Sequence, residues 1–373
     1  MRKFGTALCL LSAIGLAGAI ARASVPDAPP DASTASWDAK RAAAYLDARM
    51  DWWSTWPKAA RDHETFCVSC HSAAPYALAR PVLRRHLGEA VPSPQEQKLI
   101  ANVSKRVTLW NEVEPFYPDQ TRGLPKSSES RGTEAVLNAL VLSARDAQAG
   151  KLGDDTRAAL ANMWALQMKT GDLNGAWAWL NFHLDPWESQ TSPYMGATLA
   201  ATAVGMAPGA YASSAEAAEG LARLRAFLGR GFGTQNLFNK LMLIAASGTL
   251  DGLIGVEQRD AVLNEARSLQ QPDGGWTLSG FGAWTRSDES APDTRSDGLA
   301  TALTTLALQR TGIAPSDPAL TRGLDWLRRN QDPATGQWWT ASPNKQRDPS
   351  SDAARFMSDA ATAYAVLSLT YTR

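Results

Sequence analysis

Hydrophobic and polar positions along this chain follow two rhythms. Within segments of about a dozen residues the apolar positions recur at helical spacing, and from segment to segment a mostly apolar stretch is followed by one carrying more charge. The apolar stretches include 133–142, 197–204 and 237–246, and the charged ones are 39–53, 95–110, 156–169, 215–228, 257–269 and 319–330. No run of strand-like alternation competes with them. The pattern predicts buried inner helices alternating with amphipathic outer ones.

The apolar stretches also share a register. Ser296-Asp297-Gly298-Leu299-Ala300-Thr301-Ala302 matches Ser358-Asp359-Ala360-Ala361-Thr362-Ala363, and weaker relatives begin at Ser130, Ser192 and Thr234. Ser69-Cys70-His71-Ser72 precedes Tyr76-Ala77-Leu78 as Ser358-Asp359 precedes Tyr364-Ala365-Val366. The six starts, at 69, 130, 192, 234, 296 and 358, lie 61, 62, 42, 62 and 62 residues apart. Six such repeats spread one core over a length that would otherwise call for two or three domains. The expected fold is all-α: an α/α toroid of six inner and six outer helices around a central cavity. Ser, Thr and Asp are natural N-caps, so capping is the structural role expected of Asp297 and Asp359.

Arg2 and Lys3, an apolar run over 7–20 and Ala21-Arg22-Ala23 read as a secretory signal peptide over 1–23, followed by a linker over 24–36. An exported, periplasmic protein is expected, with no transmembrane segment in the mature chain. The 37 basic side chains balance 37 acidic ones, and without Arg2, Lys3 and Arg22 the balance is 34 to 37. That excludes the basic footprint of a nucleic-acid partner.

Cys9 leaves with the leader, so the mature chain keeps two cysteines, both inside Cys67-Val68-Ser69-Cys70-His71. Two thiols three positions apart can form thioethers to the vinyl groups of a haem, and the next residue, His71, can supply an axial nitrogen to iron. A redox Cys pair and half a zinc site are the competing readings. Neither accounts for His71, no second Cys pair exists, and the flanks lack a βαβ context. One haem c is therefore expected, carried by a first helical part over 37–130 that is continuous with 131–373 in the same toroid. No methionine lies between Met50 and Met163. A sixth iron ligand would come from His183, His86, Met357 or Met195, with His63 and Met163 more remote choices, or the position is open. The repeat register places the haem at the N-terminal end of an inner helix, near Asp297 and Asp359. The aromatic run 177–188 would either wall the cavity or form an outer-to-inner turn.

Gln331 with Gly336 and Trp338, after Arg322-Gly323-Leu324-Asp325-Trp326-Leu327, resembles the QW repeat of the squalene-hopene and oxidosqualene cyclase family. Gln270 with Gly274, Gly275 and Trp276 is a second copy, and Gln167 with Gly175 and Trp177 a looser third. The resemblance covers roughly the last 220 residues, as far as pattern matching extends. It implies a structural role for Gln270, Trp276, Gln331 and Trp338, tying one outer helix to the next. It does not bring the acid motif Asp-x-Asp-Asp. The nearest approach is Asp293-Thr294-Arg295-Ser296-Asp297, where Arg295 favours ionised carboxylates.

The expectation from the whole is an exported c-type haem protein with a redox or electron-transfer role. It would exchange electrons with a periplasmic donor or acceptor, and its toroid would be able to hold a hydrophobic, isoprenoid-like small molecule. Whether it is an enzyme stays open at this point, with a haem-dependent oxidoreductase as the enzymatic form. Two alternatives stand beside it. One is a cyclase-like isomerase with Asp293, Asp297 or Asp359 as cavity acid. The other is a haem-based sensor or binding module without catalysis.

Overall fold

A computed structural model describes residues 36–372; the leader, Cys9 and all but the last residue of the expected linker lie outside them. The helices are α1 Ala39–Thr55, α2 Ala73–His86, α3 Pro94–Thr108, α4 Asp119–Arg122, α5 Lys126–Ala149, α6 Asp154–Ala165 and α7 Ser192–Met206. They continue as α8 Ala215–Gly231, α9 Leu237–Ser247, α10 Val256–Ser268, α11 Gly298–Arg310, α12 Pro318–Arg329 and α13 Arg355–Leu369. A two-residue hairpin, β1 Ala60–Arg61 and β2 Thr65–Phe66, stands between α1 and α2.

The inner helices α2, α5, α7, α9, α11 and α13 each pack on the next, and α13 packs back on α2, closing a ring. The outer set α1, α3, α6, α8, α10 and α12 covers them from outside. The division follows from side chains. α11 and α13 are buried almost throughout, with alanine, leucine and threonine on every face, whereas α12 buries only Ala319, Leu320, Gly323, Trp326 and Leu327. A helix apolar all round must sit between neighbours, and one with a single apolar stripe sits at the surface. The axis is packed where Tyr364 of α13 donates to Met242 Sδ of α9 at 3.4 Å, past the intervening α11.

The odd spacing of 42 has a simple cause. After α6, α10 and α12 the chain makes a long aromatic turn before the next inner helix, but between α8 and α9 only five residues intervene. In the long turns the glutamines and tryptophans join neighbours. Gln270 Nε2 donates to Ala319 O at the start of α12, and Trp276 Nε1 donates to Ala266 O. Trp338 Nε1 donates to Leu327 O, while Gln331 gives and takes a hydrogen bond with the Asp38 backbone at the start of α1, which fastens the last outer helix to the first. Gly298 permits this packing on the inner side, since a Cβ there would lie 2.5 Å from Trp338 Cβ.

The capping expectation needs correction. Of the two aspartates only Asp297 caps its helix, accepting from Ala300 N at 3.0 Å. Ser130 and Ser358 lie inside α5 and α13, and their hydroxyls hold the preceding turn instead: Ser130 bonds Tyr117, and Ser358 accepts from Thr340 N. α9 is capped by Asn236 rather than Thr234. Asp359, one turn into α13, caps nothing and forms a buried ion pair.

Candidate functional site

The segment carrying the two thiols is held from three sides. After the hairpin, Asn102 of α3 accepts from Phe66 N at 2.8 Å and donates back to Phe66 O at 3.0 Å. Cys67 N donates to Ala59 O, and Trp53 Nε1 donates to Cys67 O at 2.7 Å. Ser69 Oγ then accepts from Ala73 N at 3.0 Å and turns the chain into α2. The result is that residues 67–71 lie fixed at the N-terminal end of an inner helix.

There Cys67, Ser69 and His71 face a cavity of about 220 Å³, while Cys70 is buried outside its walls. Trp53, Trp56, Tyr117, Trp187 and Phe356 form aromatic walls, Cys67 and His71 one side, and Asp185, Glu188, Asn344 and Arg347 the polar part of the rim. Residues 67–71, 184–188 and 342–353 lead into α2, α7 and α13, so the cavity opens where the positive ends of these three helices lie. A larger cleft of about 370 Å³ between α2, α3 and α5 is mainly apolar; its one carboxylate, Glu96, is already engaged in capping α3 and pairing with Arg84.

His71 is the best-defined side chain of the site. Its ring stacks on Phe356 at 4.1 Å and meets the edge of Trp53 at 5.1 Å. Its Nδ1 lies 2.9 Å from Ser72 Oγ, and Ser72 Oγ donates to Asp359 Oδ2 at 2.6 Å. The Asp359 carboxylate accepts from four groups: Arg49 Nε at 2.7 Å, Arg49 Nη2 at 3.1 Å, Tyr45 OH at 2.9 Å and Ser72. Because Ser72 spends its single proton on Asp359, its oxygen must accept from His71, and the imidazole proton sits on Nδ1. Nε2 is left with a free lone pair and has no hydrogen-bond partner among the described residues. Burial, aided by the charges of Arg49 and Arg347, pushes the His71 pKa down to about 3, so the ring is neutral.

Burial also raises the Cys67 thiol to about 12 and Cys70 further, so both thiols are protonated and unreactive toward solvent in the folded chain. Glu188 is pushed up to about 7 by burial, opposed only by the Lys126 charge. It therefore holds a proton for about half the time near neutral pH.

The other residues singled out in the sequence fall in different places. Met357 lines the same cavity as His71. His86 does not: it ends α2, about 20 Å along the helix from its first residue, Ala73, at 1.5 Å per residue, exposed and stacked on Trp37. His183 is exposed, in a left-handed turn with φ 58°, and Met195 is buried in α7 outside this cavity's walls. Asp293 is held ionised by Arg295, which lowers its pKa, and Asp297 is raised to about 6 by burial while accepting from Leu278 N, Ala300 N and Thr340 Oγ1. These two line a separate cavity of about 50 Å³. Sequence reasoning missed Arg49, Tyr45 and Ser72 as partners of Asp359, and it missed Glu188, Asn344 and Arg347. Only the aromatic run 177–188 signalled part of this wall.

No protein-family model matches this chain, and no curated protein matches it. Among solved structures it is similar to the GH76A alpha-1,6-mannanase from Salegentibacter sp. HEL1_6, at 11% identity and a TM-score of 0.49, over 88% of this chain and 99% of that one. This comparison corrects the family expected from the glutamine and tryptophan turns. The neighbour is a mannanase and not the squalene-hopene or oxidosqualene cyclase that the resemblance implied. The electron-transfer role expected from the sequence finds no support in this comparison, whose neighbour is named as a mannanase, and the described residues contain no group of three or more His, Cys, Asp and Glu placed to hold a metal ion by themselves.

Proposed function

We propose that the cavity beside His71 is a covalent haem c site and that the protein performs haem-dependent chemistry on a small polar ligand bound there. The observation that carries this reading is the chain Asp359–Ser72–His71, which fixes a neutral imidazole with its proton on Nδ1 and Nε2 free to bind iron, next to two unpaired thiols. The chemistry of the residues suits the group: Cys67 and an oriented histidine on the cavity wall, a second free thiol, Cys70, three residues from Cys67, and aromatic walls suited to a flat macrocycle. Cys67 and Cys70 would hold the haem and His71 would ligate it. Met357 is the sixth-ligand candidate that shares the cavity. When bound, haem supplies an iron centre that takes up small ligands.

The chain's own residues do the rest. Trp53, Trp187 and Phe356 exclude water from the imidazole. Glu188, able to hold or release a proton near neutral pH, serves a ligand in the cavity as acid or base. A periplasmic location belongs to this proposal, as does the expected export of the chain. Among the described residues no helix is long and apolar enough to cross a membrane.

The test is to produce the protein in a host that attaches c-type haem and to measure intact mass and absorbance after denaturation. The expected result is one haem per chain, lost in C67A/C70A and retained with an altered spectrum in H71A. A parent chain of unmodified mass refutes the proposal.

One observation favours a second reading. Glu188, raised to about 7, shares with Asp185 a wall that also presents Trp53, Trp56 and Trp187. Aromatic faces stack on sugar rings, and a pair of carboxyl groups, one of which holds its proton near neutral pH, can cleave a glycosidic bond. Hydrolysis of a glycan by haem-free protein, abolished in E188Q, would establish it in place of the first.

A further inference from the structure

The cleft between α2, α3 and α5 shares no lining residue with the His71 cavity. Its volume of about 370 Å³ falls in the range of small-molecule pockets, about 300 to 1,000 Å³. On α2 the lining runs Ala77, Pro81, Arg84, and on α5 it runs Val141, Arg145, Gln148, so both walls pass from apolar to polar toward the ends of these helices. Leu99 and Ile100 of α3 close the apolar part. Val91, next in the chain to the lining residue Pro92, is exposed and adds to the uncovered apolar surface.

The two arginines at the polar end are not equivalent. Arg145 is engaged, donating through Nε to Asp146 at 2.8 Å and through Nη2 to Thr156 at 3.0 Å. Arg84 donates only through Nε, to Glu96 Oε1 at 3.3 Å, and its terminal nitrogens have no hydrogen-bond partner among the described residues. Nor is Glu96 reserved for Arg84, since its other oxygen accepts from Ser93 N at 2.9 Å and lies 3.8 Å from Arg80 Nη1. The Arg84 side chain is 15% exposed, so a ligand entering the cleft can reach it. The cleft thus joins an apolar trough about 12 Å long, from Tyr76 to Arg84 at 1.5 Å per residue, to the open edge of a guanidinium.

We propose that this cleft binds a free aliphatic carboxylate, its chain lying along Ala77, Pro81, Ile100 and Val141 and its head group on the terminal nitrogens of Arg84. The apolar wall accepts any hydrocarbon chain, and Arg84 selects the anion, because the paired N–H groups of a guanidinium match a carboxylate's two oxygens. Burial of the chain supplies the affinity, about fourfold per methylene. The site is independent of what His71 holds.

The test titrates octanoate into the mature chain by calorimetry, with heptanoate and hexanoate as shorter acids and octanol as the neutral counterpart. One octanoate per chain is expected, bound about fourfold more weakly for each methylene removed. R84Q is expected to weaken octanoate about tenfold or more, the scale of a lost hydrogen bond to a charged group, and to leave octanol unchanged. I100W and A101W bring a ring into the trough from half-buried and exposed positions, and each is expected to abolish binding of both ligands while circular dichroism shows the fold intact. No saturable octanoate binding, an affinity indifferent to chain length, equal loss of octanoate and octanol in R84Q, or binding retained in both tryptophan variants overturns the proposal. Self-association of the parent that the tryptophan variants abolish would make a second copy of the chain the occupant and overturns it as well.

Discussion

Replacing Asp359 by Asn changes one atom of a side chain that is 3% exposed, yet it should cost the fold heavily. The two carboxylate oxygens accept from four donors, and one of those, the Arg49 guanidinium, contacts both oxygens. Whichever side the amide nitrogen takes, it meets an Arg49 N–H, so at least one buried donor loses its acceptor. The negative charge opposite Arg49 disappears as well. Asp352 remains at 2.8 Å, but its side chain is 44% exposed and compensates only in part. Breaking a buried ion pair by removing one member costs about 3 to 5 kcal/mol, and the partial compensation by Asp352 places D359N near 3. Urea unfolding of the haem-free C67A/C70A protein at neutral pH measures this directly, because a lower midpoint at unchanged slope is a change in stability alone. A loss below about 1 kcal/mol would refute the reasoning, since it would mean that the pair behaves like a surface ion pair.

Other consequences of the site are open to measurement. S72A should release the His71 tautomer, and nitrogen NMR of labelled haem-free protein should then show proton density on Nε2 where the parent has it on Nδ1; an unchanged spectrum would show that Ser72 does not set the tautomer. Glu188 ties stability to pH. Its pKa is about 7 folded against 4.5 for an unperturbed carboxyl, so its contribution is intact below pH 4.5 and is lost as pH rises toward and past 7. The loss is about 3 kcal/mol at 1.36 kcal/mol per unit. In the haem-free background, E188Q should therefore gain stability over the parent at pH 8 but not at pH 4.5, and a difference that is the same at both pH values would contradict the assignment.

The sequence and the structure agree where a residue's role depends on its own helix. Alanine, leucine and threonine on every face of residues 298–310 and 355–369 demand burial from all sides, and the charged outer stripes demand the opposite, so six inner and six outer helices could be read in advance. The sequence was silent where a role depends on which helices become neighbours. Ser72 and Asp359 are 287 residues apart, and nothing local to either shows that closing the ring brings them to hydrogen-bonding distance. The hydroxyls at the repeat starts misled for a related reason: a serine within one turn of a helix start has capping as its local preference, but at Ser130 and Ser358 the preceding turn passes close enough to take the hydroxyl instead. The glutamine and tryptophan turns have a cause that is independent of ancestry. Gln270 and Trp276 satisfy backbone groups exposed where an outer helix ends, a need that any ring of paired helices has.

The bond between Ser72 and Asp359 also sets an order of events. It joins the first inner helix to the last, so the pocket wall around His71 is incomplete until α13 has been made and docked. In the finished fold Cys67 and Cys70 are 4% and 5% exposed, too enclosed for a maturation enzyme to reach. Any bulky group carried on those sulfurs must be installed while the chain is still an open arc. The final helix then acts as a closing door, and folding itself becomes the step after which the modification can be neither added nor exchanged.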